Sequence, residues 1–302
     1  MVDQAQPWEW PEPVWRGMVE RARAGRTLHP TSWPNGARCA VALSFDADHE
    51  TGPLRDADSS PMRLSQGQYG SRSGMPRIRA LLQREQIPAS FFYPAVAALL
   101  HPDEVRGVKV QATLLSEQKA VQETIHELNT KLDHETERSL SFRAAEVLGK
   151  LSGRTPVGMR TASWDFSPYT LSIIREMGLL YDSSLMADDE PYELTADGEP
   201  TGIVELPPEW IRDDAPYFGF NRHSSIRPHT PPSGVEEIFR AEFDGAHAEG
   251  GLFLLTMHPH IIGHRSRIAV LERLIAHMRS IGGVWFATHE QVAQWCWEKA
   301  PA

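Results

Sequence analysis

The sequence predicts a single α/β domain built on a parallel sheet or barrel, and this prediction rests on the order of the expected elements, on the chain length and on the absence of repeats and linkers. Short apolar segments typical of buried strands alternate along the chain with segments of helical periodicity. Such alternation is typical of parallel strands joined by helices. The chain has 302 residues and neither an internal repeat nor a low-complexity linker, so one large domain accommodates it. We expect that domain over residues 37–302, after a Trp- and Pro-rich arm over residues 1–36.

Each expected element follows from its hydrophobic period and from the residues at its ends. The clearest helix carries Leu140, Ala144 and Leu148 at helical spacing. The last long helix ends at Gly282 and Gly283, and glycine favours a helix C-terminus. The expected strands are 40–45, 89–93, 157–161, 179–182, 203–206, 252–257 and 284–287, the expected helices are 15–24, 78–86, 135–151, 167–177, 235–247, 266–281 and 290–297, and a long loop covers 52–74.

Composition restricts the partners and the compartment. A net charge of −10 repels nucleic acids and anionic membrane surfaces, so we expect neither as a partner. No apolar run approaches the roughly 20 residues of a membrane span, and residues 1–7 lack the pattern of a signal peptide. Two cysteines, Cys39 and Cys296, cannot form a disulfide framework or, alone, a four-ligand zinc site. We expect a cytoplasmic protein whose arm packs on the domain or on a second subunit of a homo-oligomer.

The chain is organised around the strand 40–45 and the polar residues that follow it. Asp46 and Asp48 are separated by one residue, so both side chains project to the same side if the strand continues through them. Two adjacent carboxylates repel each other, and their burial requires a cation or hydrogen-bond donors. The segment predicts a metal or acid–base site at the end of a strand, although a solvated loop is the simpler alternative.

The segment 44–48, Ser-Phe-Asp-Ala-Asp, resembles the first motif of the polysaccharide deacetylase family, carbohydrate esterases that remove N-acetyl groups. The resemblance implies that Asp46 is the catalytic base and Asp48 a metal ligand in a hydrolase of amide-type C–N bonds. It also implies a distorted (β/α) barrel of the polysaccharide deacetylase type, with its site at the C-terminal ends of the strands. The substrate is then a small molecule or an oligosaccharide.

Further segments resemble later motifs of this family in the same order. Arg160 is followed four residues later by Trp164, although Ala162 stands where proline is usual. The resemblance implies that Arg160 orients the base and that Trp164 borders the substrate pocket. The segment 181–185 also matches, and it makes Asp182 a candidate substrate-binding residue. His258, at the end of the strand 252–257, resembles the histidine that protonates the leaving nitrogen, a task suited to the usual pKa of histidine.

The second motif of the family is incomplete in this chain. The family has two metal-binding histidines separated by three residues, and here His126 has Gln122 in the place of its partner. An amide oxygen is a poor ligand for zinc, the metal that the resemblance favours. Either His49 or His134 supplies the missing ligand, or the metal site is impaired, or the sequence is locally wrong. Local propensity predicts a helix over residues 112–124.

Two further strings resemble an allantoinase-like branch that hydrolyses cyclic imides. The first is Tyr-Gly-Ser-Arg at 69–72, which makes Arg72 a candidate substrate-binding residue. The second covers 205–210 together with Asp213 and Asp214. Three functions therefore stay open: N-deacetylation, hydrolysis of a cytoplasmic cyclic imide or ureide, and an impaired or metal-free barrel that binds without catalysis.

Overall fold

A computed structural model describes residues 6–106, 110–113, 129–220 and 230–301, and the statements below concern these ranges. The strands of one sheet, numbered in chain order, are β1 Arg23–Thr27, β2 Cys39–Asp46, β3 Ser90–Pro94, β4 Val110–Thr113, β5 Gly158–Arg160, β6 Tyr181–Asp182, β7 Tyr192–Ala196, β8 Glu199–Glu205, β9 Leu252–Met257 and β10 Val284–Ala287. The expected alternation of strands and helices is confirmed.

Helices connect most of these strands. They are α1 Glu12–Glu20, α2 Thr51–Arg55, α3 Pro61–Tyr69, α4 Met75–Glu85, α5 Ala95–Leu100, α6 Pro102–Val105, α7 His134–Ser152, α8 Thr170–Glu176, α9 Ala215–Phe218, α10 Pro232–Glu249, α11 Pro259–Ile262, α12 Arg265–Ile281 and α13 His289–Lys299. A π-helical turn, Gly70–Gly74, joins α3 to α4. Short 3₁₀ turns lie at Pro7–Glu9, Pro34–Gly36, Asn129–Lys131, Ala162–Trp164 and Trp210–Arg212. In the ranges that the structure describes, no helix combines the length and apolar character needed to cross a membrane.

Strand β2 lies at the centre of the sheet, and all its residues are buried. One edge of β2 pairs in parallel with β9, and the other pairs first with β10 and then with β3. From β3 the sheet continues in parallel through β4, β5, β6 and β8. Between β8 and β9, a parallel bridge joins Asp213 to Thr256. The parallel order brings the C-terminal ends of these strands to the same edge, where a site is expected.

The two faces of β2 are covered by different layers. Val41, Leu43 and Phe45 belong to a large core that includes residues of α4, α10 and α12. The alternate residues Ala40 and Ala42 contact a second core that includes residues of α13. This alternation follows from the period of two in a strand, and apolar residues on both faces are typical of a parallel strand covered on both sides.

Several segments differ from the sequence-based expectation. The predicted loop 52–74 contains α2, α3 and the π-helical turn. The arm helix ends at Glu20, and β1 follows it and pairs antiparallel with β7. The helix expected over 112–124 is wrong at its start, because β4 includes residues 112 and 113. The rest of that segment, with Gln122, and the ligand candidate His126 lie outside the described residues.

Candidate active site

The ends of β2, β5 and β9 bring three of the predicted residues together at one edge of the sheet, where a cavity opens. Asp46 is the last residue of β2, Arg160 is the last residue of β5, and His258 follows β9 directly. Asp46, Asp48 and His258 line a cavity of about 830 Å³. The expectation that these chain segments meet at the C-terminal edge of the sheet is confirmed.

Arg160 is fully buried and fixes the position of the Asp46 carboxylate. Its Nη1 donates to Asp46 Oδ1 at 2.7 Å and to Ser44 Oγ at 3.0 Å. The other side of the guanidinium donates to the Ser183 carbonyl at 3.1 Å and to its hydroxyl at 2.9 Å. The ring of Phe92 lies 4.1 Å from the guanidinium carbon. With its donors engaged on several sides, Arg160 holds Asp46 in one orientation.

His258 forms a second charged pair on the same cavity. Its Nδ1 lies 2.7 Å from Asp214 Oδ1, and its backbone N–H donates to Asp214 Oδ2 at 3.1 Å. Asp213 Oδ1 lies 3.6 Å from the same ring nitrogen. Burial alone lowers the pKa of His258, but the neighbouring carboxylates outweigh burial and raise the pKa well above its usual range. His258 is therefore held as a cation with a proton to donate.

Asp48 presents a carboxylate to the cavity with no hydrogen bond to it from the described residues. Its neighbour Thr51 donates to the Asp48 backbone carbonyl, and His258 Nε2 lies 4.0 Å from Asp48 Oδ2. Burial and then the adjacent Asp46 raise the pKa of Asp48, while His258 lowers it. A carboxylate left open beside a second carboxylate fits a divalent cation, since such ions take oxygen ligands of this type.

Asp213, Asp214 and His258 also bring possible ligand atoms within 4.8 Å of one another. Their atoms are already engaged, however. Asp214 accepts two hydrogen bonds from His258, and Asp213 Oδ1 accepts from the backbone of Ala215 at 2.7 Å. These contacts orient a protonated histidine, and Asp48 is the more open oxygen donor.

The two histidines considered as replacement ligands lie in different places. His49 is buried beside the cavity, and its Nε2 lies 2.9 Å from Glu104 Oε2. The backbone of His49 adopts a left-handed φ of 49° and lies against Gly67, where a Cβ would approach its carbonyl oxygen to 2.2 Å. Gly67 thus allows α3 to cover this part of the site. His134 begins α7 with its ring 5.3 Å from Tyr169, and it is not among the residues that line the cavity.

An aromatic pair borders the cavity. The rings of Trp164 and Trp210 lie 4.1 Å apart, and both residues line the cavity. Ser163 and Trp164 both have a φ of 55°, a conformation that residues other than glycine adopt at a cost, often at functional sites. Arg55 holds the turn by donating to Ser163 Oγ at 2.8 Å. The sequence analysis does not predict Trp210 as a site residue. The signal that could have indicated it is the presence of a tryptophan in a polar loop.

Two of the predicted substrate-binding residues lie away from the cavity. Arg72 is exposed on the π-helical turn and is not among the residues that line the cavity. Asp182 is completely buried and is also absent from the lining, so its placement contradicts a direct contact with substrate. The physical reason is that the Asp182 side chain lies on a face of the sheet that is covered by the protein interior, beside the equally buried Glu205.

Asp182 instead pairs with a second buried carboxyl group, Glu205. The two residues are register partners on β6 and β8, and Glu205 Oε1 accepts from the backbone of Ser184 at 2.8 Å and of Leu185 at 3.0 Å. Burial raises the pKa of Asp182 to about 6, and burial together with Asp182 raises the pKa of Glu205 well above its usual range. The pair therefore shares a proton near neutral pH and holds the segment that contacts Arg160.

We expect Glu205→Gln to reduce the dependence of stability on pH. Above about pH 4 the unfolded chain loses the protons of these carboxyl groups, whereas the folded chain retains them. The free energy of unfolding of wild type therefore falls as the pH rises from about 4 through about 6 and beyond. The amide that this substitution introduces can donate to Asp182 at every pH. Urea unfolding between pH 5 and 8 measures the slope, with the exposed Glu249→Gln as control. A slope equal to that of wild type in Glu205→Gln would contradict the shared proton.

The fold and the site together define a class of enzyme, a hydrolase in which a positioned carboxylate and a protonated histidine face one cavity. A solved structure from Mycobacterium smegmatis, assigned as a polysaccharide deacetylase, is 33% identical to this chain with a TM-score of 0.79, covering 90% of this chain and 94% of that one. The peptidoglycan deacetylase of Helicobacter pylori is 24% identical over 284 residues, 84% of this chain and 94% of that protein. An allantoinase structure is 24% identical with a TM-score of 0.71 and covers 90% of this chain and 93% of that one.

No family model matches the sequence. The identity and coverage of the Mycobacterium smegmatis structure nevertheless show that the chain belongs to the polysaccharide deacetylase family. Its fold is accordingly the distorted (β/α) barrel of that family, and the chain is a hydrolase of non-peptide C–N bonds.

Proposed function

We propose that this protein removes N-acetyl groups from a carbohydrate, with Asp46 as general base and His258 as general acid. The observation that carries the proposal is the presence of two fixed charged pairs, Asp46 with Arg160 and His258 with Asp214, at one cavity. The relatives from Mycobacterium smegmatis and Helicobacter pylori support the choice of deacetylation.

Each pair has a distinct task in this proposal. Asp46, oriented by Arg160, takes a proton from the attacking water. His258 carries a proton on Nε2, the ring nitrogen that faces Asp48, while Asp214 occupies Nδ1. This arrangement lets His258 protonate the departing nitrogen and keeps the imidazole in one orientation.

We further propose a divalent metal, most simply zinc, held by Asp48 and His126. A bound metal would lower the pKa of a water and polarise the carbonyl of the substrate. The open carboxylate of Asp48 supports this assignment. Gln122 in the place of the second family histidine leaves one ligand unassigned, so we expect weak or partial metal binding.

One other function is a candidate. Hydrolysis of a cyclic imide or ureide is favoured by the sequence strings at 69–72 and 205–210. The likeness to an allantoinase concerns the fold and does not discriminate between deacetylation and ring opening.

We expect the purified protein to release acetate from N-acetylated chitin oligomers, to lose this activity with a chelator and to regain it with added zinc. The same preparation is tested for ring opening of succinimide and hydantoin, followed by loss of ring absorbance. Ring opening without acetate release would replace the first proposal with the second. Absence of both activities in metal-loaded protein would contradict both substrate proposals.

A further inference from the structure

Arg267 is a cation on the cavity wall that none of the charged pairs described above uses. It lies near the start of α12, is half-buried and lines the same cavity as Asp46 and His258. Its Nη1 donates to the backbone carbonyl of Ile261 at 3.3 Å. Among the described residues, the carboxylate that acts on Arg267, Asp214, does so through its charge and not through a hydrogen bond.

The other arginines that line the cavity have acidic neighbours. Arg55 Nε lies 3.6 Å from Asp56, and Arg63 Nε lies 3.3 Å from Asp58. The carboxylate that acts most strongly on Arg267 is Asp214, and both of its oxygens already bind His258. Arg267 therefore retains hydrogen-bond donors that the described part of the protein does not satisfy.

The surroundings of Arg267 fix its guanidinium plane. The guanidinium carbon lies 4.6 Å from the centre of the Phe218 ring, which covers one face of the group. Burial lowers the pKa of Arg267, while Asp214 acts in the opposite direction, and an arginine stays charged at all working pH values. A half-buried cation supported on an aromatic ring, with free edge donors, suits a planar anion such as a carboxylate.

We propose that Arg267 binds a carboxylate group of the substrate, so that the enzyme prefers amide-type substrates that carry a negative charge. The inference rests on the proposed function only for the identity of the reacting bond. Recognition of the carboxylate is a property of Arg267 and applies equally to an N-acetylated sugar acid and to a carboxylated cyclic ureide.

The test compares two pairs of probes that differ mainly by a carboxylate: N-acetylmuramic acid with N-acetylglucosamine, and dihydroorotate with dihydrouracil. Equilibrium binding is measured by calorimetry, and turnover is measured in parallel. We expect wild type to bind the carboxylated member of at least one pair about tenfold or more tightly, as a charge-assisted hydrogen bond provides. Arg267→Met removes this preference and leaves binding of the neutral member unchanged within about threefold.

Two further variants make the result specific. Arg265→Met removes an exposed arginine from the same helix and should retain the wild-type preference. Arg267→Lys keeps the charge without the planar fork and should retain part of the preference, which also provides a folded variant if Arg267→Met is unstable. Equal binding of both members by wild type, or equal losses for both in the folded variants, would overturn the inference. Binding as expected without turnover would instead contradict the proposed function.

Discussion

Asp46→Asn is expected to lower kcat/KM for acetate release by about a thousandfold, within the range attributed to general bases. Asparagine has nearly the size of aspartate and can still accept a hydrogen bond from Arg160, which lies 2.7 Å from Asp46 Oδ1. It cannot accept a proton from water at neutral pH. The loss should therefore fall on the chemical step, with kcat reduced and KM nearly unchanged.

The measurement is steady-state release of acetate by wild type and variant at equal metal loading. Circular dichroism and thermal unfolding establish that the variant is folded. Asp244→Asn serves as the control, because Asp244 carries a half-exposed carboxylate on α10. This variant should retain wild-type activity. If folded Asp46→Asn turns over substrate within about tenfold of the wild-type rate, the assignment of Asp46 as general base is wrong.

Arg160→Lys is expected to lower the free energy of unfolding by about 3 kcal/mol and to reduce activity at least a hundredfold. Arg160 is completely buried and connects Asp46, Ser44 and Ser183 through separate hydrogen bonds. A lysine ammonium is compact and cannot reach these partners together. The Asp46 carboxylate then loses its fixed orientation, and buried acceptors lose their donors.

Urea unfolding measures the stability change, and acetate release measures the activity. Arg138→Lys is the matched control, because Arg138 also contacts a carboxylate, that of Glu176, but on the protein surface. Surface pairs contribute at most about 1 kcal/mol, so this control should be close to wild type. Equal stability losses in the two variants would show that the buried network around Arg160 contributes no more to the free energy of unfolding than a surface ion pair.

Local sequence pattern located the proposed catalytic residues because each lies at the end of a buried strand. The apolar run before Asp46 and the run before His258 are long enough to be recognised, and parallel strands end at one edge. Asp182 shows the limit of this reasoning. It also ends a strand, but its side chain is completely buried beside Glu205, and period-two alternation does not predict which face of the sheet borders the cavity.

Contacts between distant segments could not be predicted from the sequence. Asp214 lies within a string that resembles the family, but its contact with His258 depends on the bridge between Asp213 and Thr256. Trp210 meets Trp164 across two loops that are far apart along the chain. Neither pairing has a local signal, because each arises only when the strands assemble.

The sequence by itself determined the α/β class, the buried strand before Asp46 and the family motifs, because hydrophobic period and residue order are local properties. The tertiary structure decided which side chains share the cavity and which are buried elsewhere. It placed Arg160 on Asp46, Asp214 on His258 and Asp182 on Glu205. These pairings depend on strand register and on packing between distant segments. Arg160 and Asp46, for example, are more than a hundred residues apart along the chain. Charge and orientation at the site are consequences of that assembly.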